Sequence, residues 1–133
     1  MGISRNKAGA DYVIKTVQGN KKKYTVYLSG VTDASGFLGP DFSVRYFRLG
    51  PGEAIFIYYG PHPKEDAPEG SRHFMAPFGD KTVTWHFTPK KSWSRAVTAT
   101  PAGDKYFWSA EILAPDDERV RELAQMLKSF HER

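Results

Sequence analysis

The stretch "AIFIYY", Ala54 to Tyr59, is apolar or aromatic at every position. A strand turns successive side chains to opposite faces, so a strand apolar on both faces has to be covered on both and belongs inside a sheet. The run stops at Gly60 and passes into Pro61-His62-Pro63. Each proline holds the residue before it in an extended conformation, so this tripeptide reads as the exit turn of a central strand.

Working outward, "DFSVRYFR" (Asp41 to Arg48) alternates, with Phe42, Val44 and Tyr46 on one face and Ser43 and Arg45 on the other. That pattern predicts a half-buried strand with its aromatic face inward. "KTVTWHF" alternates as well, Val83, Trp85 and Phe87 inward and Thr82, Thr84 and His86 outward. "SRAVTAT" and "KYFWSAEIL" follow, separated by a Pro101-Ala102-Gly103-Asp104 turn, and Tyr106, Trp108, Ala110 and Ile112 share one face of the last strand. Nearer the start, "YVIKTV" (Tyr12 to Val17) and "KYTVYL" (Lys23 to Leu28) flank "QGNKKK" and are expected to pair antiparallel. "SGVTDASGFLGP", with four Gly or Pro residues, reads as a loop.

The convincing helix is "DDERVRELAQMLKSFHER", where Val120, Leu123, Ala124, Leu127 and Phe130 form one stripe. Asp116, Asp117 and Glu118 follow Pro115 at the positive end of the helix dipole, and Lys128, His131 and Arg133 lie at the negative end. The reading is an α+β fold: a single domain over residues 11–133, a mostly antiparallel sheet of about six to seven strands, and a C-terminal helix packed on one face. Residues 1–10 read as a flexible lead.

At 133 residues the chain is the size of one ordinary domain and supports one core. It contains no cysteine, which excludes disulfides, thiolate zinc sites, iron–sulfur clusters and a cysteine nucleophile. A net charge of +4 is modest and does not by itself indicate nucleic acid. No run approaches the roughly 18 apolar residues of a membrane span. "MGISRNKAGADY" lacks the apolar core of a signal peptide, so a cytoplasmic protein is expected, or an exported one if a leader has been removed.

Residues 60–80, "GPHPKEDAPEGSRHFMAPFGD", hold four prolines and three glycines without usable periodicity and read as one long loop. His62 and His73 share it with Glu65, Asp66, Glu69 and Asp80, which invites a metal site. A separation of eleven positions along a loop is not a ligand spacing, however, and no cofactor is expected. The chain has no G-x-S-x-G elbow, no phosphate loop and no G-x-G-x-x-G. His86 reads as solvated among threonines and His131 as part of a fraying terminus. Basic and aromatic residues interleave in "NKKKYTVY", "VRYFR" and "PKKSWSR", a mixture that can bind single strands by charge and stacking.

"GPDFSVRYF" (Gly39 to Phe47), "IFIYYGPHP" (Ile55 to Pro63) and a closing helix ending "MLKSF" (Met126 to Phe130) together resemble the PsbP-like group of small α+β domains, which includes a Ran-binding nuclear import protein. The resemblance covers residues 39–130. It implies an antiparallel sheet flanked by helices and a binding or assembly role, with no catalytic set to carry over. Bacterial members are expected to be exported or lipid-anchored. The chain departs from the pattern in showing no leader and no N-terminal helix.

The expected function is therefore a non-catalytic binding or assembly module with a protein partner. Its recognition surface is expected on the 60–80 loop, through His62, Lys64, Arg72, His73, Phe74 and Phe78. The alternative is a small metal-assisted hydrolase using the same loop; the third reading is a nucleic-acid-binding domain. The helix can cover only one face of the central strand, so Phe74, Met75 and Phe78 are expected to fold back as a lid over the other, with residues 62–70 exposed.

Overall fold

The computed structural model describes residues 2–5, 11–15, 24–63, 71–103 and 105–132. Its centre is a seven-stranded sheet in which every pairing is antiparallel. The strands are β5 (Asp33–Leu38), β6 (Ser43–Arg48), β7 (Ala54–Gly60), β8 (Arg72–Phe78), β9 (Lys81–Pro89), β10 (Ser94–Gly103) and β11 (Tyr106–Ala114), in the spatial order β5-β6-β7-β11-β10-β9-β8. "AIFIYY" is thus an interior strand, held between β6 and β11. A three-stranded sheet joins β1 (Gly2–Arg5), β2 (Asp11–Lys15) and β4 (Tyr27–Ser29). The expected antiparallel pairing near the start is there, Tyr12 opposite Leu28 and Val13 opposite Tyr27; its "QGNKKK" connection lies outside the described residues. Within the stretch read as a lead, Gly2–Arg5 pairs with β2.

Among the described residues there is one α-helix, α1 (Asp117–Met126), which continues into a 3-10 turn at Leu127–Ser129. The Asp116 carboxylate accepts from the Arg119 N–H at 2.9 Å, which satisfies one of the orphan donors of the first turn. The chain then leaves the helix, and β12 (His131–Glu132) pairs with β3 (Tyr24–Thr25), so His131 lies in a short ladder opposite Thr25 and not in a fraying helix end. Val120, Leu123, Ala124 and Leu127 are fully buried, and α1 rests on β8, β10 and β11. Beneath and around the helix, Phe47, Ile55, Ile57, Trp85, Phe87 and Ile112 form the same apolar cluster. The architecture is α+β in the sense of a mostly antiparallel β structure with one short C-terminal helix.

Four local readings need correction. Asp33–Leu38, inside the presumed "SGVTDASGFLGP" loop, is the edge strand β5. "HFMAPF" is not a loop or a lid: it lies in β8, at the opposite edge, where Pro77 is tolerated because an edge strand can do without one ladder donor. The connection after β7 therefore runs from 61 to 71, and Gly79-Asp80 is the tight turn of a β8–β9 hairpin. Phe74 and Phe78 are buried as expected, but on the helix side of the sheet, while Met75 points away and is 58% exposed. Pro101, Ala102 and Gly103 belong to β10, with Gly103 opposite Tyr106.

The hairpin reaches the helix because β9 and β10 part company. Their ladder stops at Val97 opposite His86, and the Thr98 hydroxyl donates to the Thr84 carbonyl at 2.7 Å in its place. At the hairpin tip the Gly79 N–H donates to the Leu127 carbonyl at 2.8 Å, and Phe78 meets Phe130 edge-on at 4.7 Å. Ser129 ties the same helix end to β4: its hydroxyl accepts from the Tyr27 N–H at 2.9 Å. At the other end, Arg119 grips Glu53 with two hydrogen bonds, Nε at 2.8 Å and Nη2 at 3.1 Å.

Candidate binding face

Strand alternation fixes which side chains look away from the helix. Register aligns Val44, Tyr58 and Ser109 in one row and Tyr46, Phe56 and Glu111 in the next. A third row holds Arg48, Ala54, Leu113 and Arg95. Phe37 lies opposite Val44. Each row is a set of cross-strand neighbours on the face opposite to Ile55, Ile57, Ala110 and Ile112, which join the helix in the core.

The sequence reading had this face reversed on β6. Phe42, Val44 and Tyr46 were expected inward, but they are half-buried on the open side, while Ser43 is buried and Phe47 is fully buried toward the helix. The physical reason is that β6 carries apolar residues on both faces; only the position of the helix decides which becomes the core.

The open face is a bed of aromatic rings. Tyr46 and Phe56 lie 4.8 Å apart, Phe42 stacks on Tyr58 at 5.9 Å, and Phe37 reaches Phe42 at 5.7 Å. Between them is a cavity of about 550 Å³ lined by Phe42, Val44, Phe56, Tyr58 and Leu113, with Glu111 at its side. Leu113 also borders a second hollow of about 460 Å³, formed by Tyr46, Arg48, Glu53 and Trp93. Both volumes fall within the range of small-molecule and peptide-anchor pockets.

Polar groups are few here and mostly engaged. The Tyr58 hydroxyl accepts from the His62 N–H at 3.0 Å, so the Pro-His-Pro turn is anchored on the strand that it leaves. Burial pushes the Tyr58 phenol above its usual range, and at neutral pH it carries its proton, as any phenol does, with an O–H to donate. Arg95 and Glu111 form an ion pair beside the cavity, with both side chains largely buried. Arg48 lies 6.0 Å from the centre of the Tyr46 ring. Rings, the Tyr58 hydroxyl and a satisfied ion pair can hold apolar or aromatic groups and orient a hydrogen-bond acceptor.

The residues expected to form the recognition surface are dispersed. His62 is exposed at the end of β7 beside the cavity. Arg72, His73, Phe74 and Phe78 are on β8, four strand spacings away, or about 19 Å at about 4.8 Å each. On β8, the exposed His73 lies opposite His86, and the Arg72 guanidinium is 5.5 Å from the Phe87 ring centre. Phe74 is sandwiched, with Trp85 stacked at 6.2 Å and the Arg121 guanidinium at 4.8 Å. Phe78 is held by Phe130. Lys64, Glu65, Asp66 and Glu69 lie outside the described residues. Among the described residues no three His, Asp or Glu side chains gather as a metal-binding group.

Sequence reasoning had Tyr46 and Trp93 as site candidates only within the basic-aromatic stretches of the nucleic-acid reading, and passed over Phe56 and Tyr58. The signal for Phe56 and Tyr58 was present in "AIFIYY" itself: a strand apolar on both faces, with one helix among the described residues, leaves one of those faces needing another cover. Comparison with family models, with curated proteins and with solved structures finds no match for this chain.

Proposed function

We propose that this chain is a non-catalytic binding or assembly module, and that its partner seats on the open aromatic face of the seven-stranded sheet. The observation that carries the reading is the ribbon of Phe37, Phe42, Tyr46, Phe56 and Tyr58 beside a cavity of about 550 Å³, on a face that no described helix covers. Contiguous aromatic surface of this kind marks interaction sites, because leaving it in water forfeits the gain of burial. The PsbP-like resemblance of residues 39–130 supports the same role, since such domains serve in binding and assembly.

Co-purification from the source cell tests the proposal when wild type is compared with Tyr46→Lys and Trp93→Lys, both at accessible positions. A partner retained by wild type and reduced at least about tenfold by each lysine, equivalent to about 1.4 kcal/mol, supports it. Equal retention by all three, or turnover of a small molecule with no partner above background, overturns it. A partner whose binding falls steeply with salt and which proves to be nucleic acid overturns it in favour of the third reading.

A further inference from the structure

We infer that β5 is a self-complementary edge, and that it pairs antiparallel with the β5 of a second copy of this chain, with Phe37 opposite Phe37 of that copy. In an antiparallel pair only alternate residues exchange hydrogen bonds with their neighbour. The Gly39 N–H donates to the Phe42 carbonyl at 2.8 Å, and the register continues Phe37 opposite Val44 and Ser35 opposite Tyr46. Alternation from that bond turns the amides of Phe37, Ser35 and Asp33 toward β6 and those of Leu38, Gly36 and Ala34 outward. One side-chain contact corroborates this: the outward Ala34 N–H is taken by the carboxylate of Asp33 at 2.9 Å. Among the described residues β5 pairs with β6 alone.

The outward groups that remain are symmetric about Phe37. Gly36 and Leu38 each present one N–H and one C=O. The next outward position on one side is Ala34, whose donor is already capped; on the other side it is Pro40, which has no donor. If Gly36 of one copy faces Leu38 of the other, both residues of both copies exchange their bonds, four in all. The ladder then stops at each end where capped Ala34 meets Pro40. Leu38 falls opposite Gly36, over which the Arg45 side chain lies, and the two Phe37 rings meet in the closely spaced, non-hydrogen-bonded pair.

Exposure points the same way. Phe37 is 62% and Leu38 59% exposed, an apolar pair on an edge without lysine or proline in the strand. Natural edges are blunted by such residues, and the far edge, β8, carries Pro77, Arg72 and His73. The two β5 strands are short, so the dimer is concentration-dependent and not obligate. It shares Phe37 with the proposed binding face, while its hydrogen bonds come from the strand edge and not from that face.

The absence of cysteine makes the test clean. The Cα atoms of a non-hydrogen-bonded pair are about 4.5 Å apart, within disulfide reach. Phe37→Cys under mild oxidation is expected to give a disulfide-linked dimer at least tenfold faster than Ser35→Cys. In the proposed register the two residues 35 are four positions out of alignment, about 14 Å. Mixing Phe37→Lys with Phe37→Glu is expected to restore a dimer that neither forms alone, which also serves if Phe37→Cys folds poorly. Equal cross-linking at 35 and 37, no association in the charge mixture, or a wild-type chain that sediments as a monomer at concentrations approaching about 1 mM overturns the inference.

Discussion

Gly79 offers a measurement of how tightly the β8–β9 hairpin is latched to the helix. It has φ +67°, a region that costs an L-residue about 1–2 kcal/mol. A methyl group there would also come to 2.9 Å from the Phe130 carbonyl oxygen, a backbone atom that cannot swing aside. Gly30 provides the control, with φ +82° and nothing within 4 Å of the same added methyl. Gly30→Ala should therefore lose the conformational term alone, about 1–2 kcal/mol. Gly79→Ala should lose that term plus part of the Gly79–Leu127 hydrogen bond, another 0.5–1.5 kcal/mol or about 1. A domain of this size moves roughly 4 °C in Tm per kcal/mol, so the two variants should differ by about that much. Urea titration followed by tryptophan fluorescence would show Gly79→Ala unfolding at the lower midpoint with an unchanged slope. Equal midpoints would refute the latch, because the contact with the helix end would then contribute nothing.

The buried edge of β8 predicts that Phe74→Ala and Phe78→Ala each cost about 3–5 kcal/mol. His62→Ala and Met75→Ala, at exposed positions, should stay within about 0.5 kcal/mol in the same denaturation series. Tyr58 predicts a pH effect: its phenol is raised in the folded chain, chiefly by burial. The unfolded tyrosine therefore loses its proton first, the folded state binds more protons, and stability falls as pH rises above about 10. Tyr58→Phe should flatten that alkaline decline relative to wild type, and parallel declines would exclude the phenol as its cause.

Local pattern carried much of the fold. Helical spacing from Val120 to Leu127, the acids at the helix start, and the alternation of β9 and β11 depend on residues near one another in the chain, where period and end charge act directly, whereas Phe130, read as part of the same helix, is already extended. The N-terminal pairing of β2 with β4 was legible for the same reason. The binding face was only half legible, because "AIFIYY" announces two apolar faces without saying which will be covered.

What tertiary structure alone decided is the sign of each face and the fate of the edges. Alternation sorts β6 into Phe42-Val44-Tyr46 and Ser43-Arg45-Phe47, but the helix, more than sixty residues later in the sequence, selects the second set as core. "ASGFL" and "HFMAPF" carry Gly and Pro that argue against a strand interior; both are tolerated as edges, where one side of the backbone needs no sheet partner. Being an edge is a property of strand order, set by which nonlocal pairings close the core. For that reason the aromatic face and the β5 edge emerge only once all seven strands are in place.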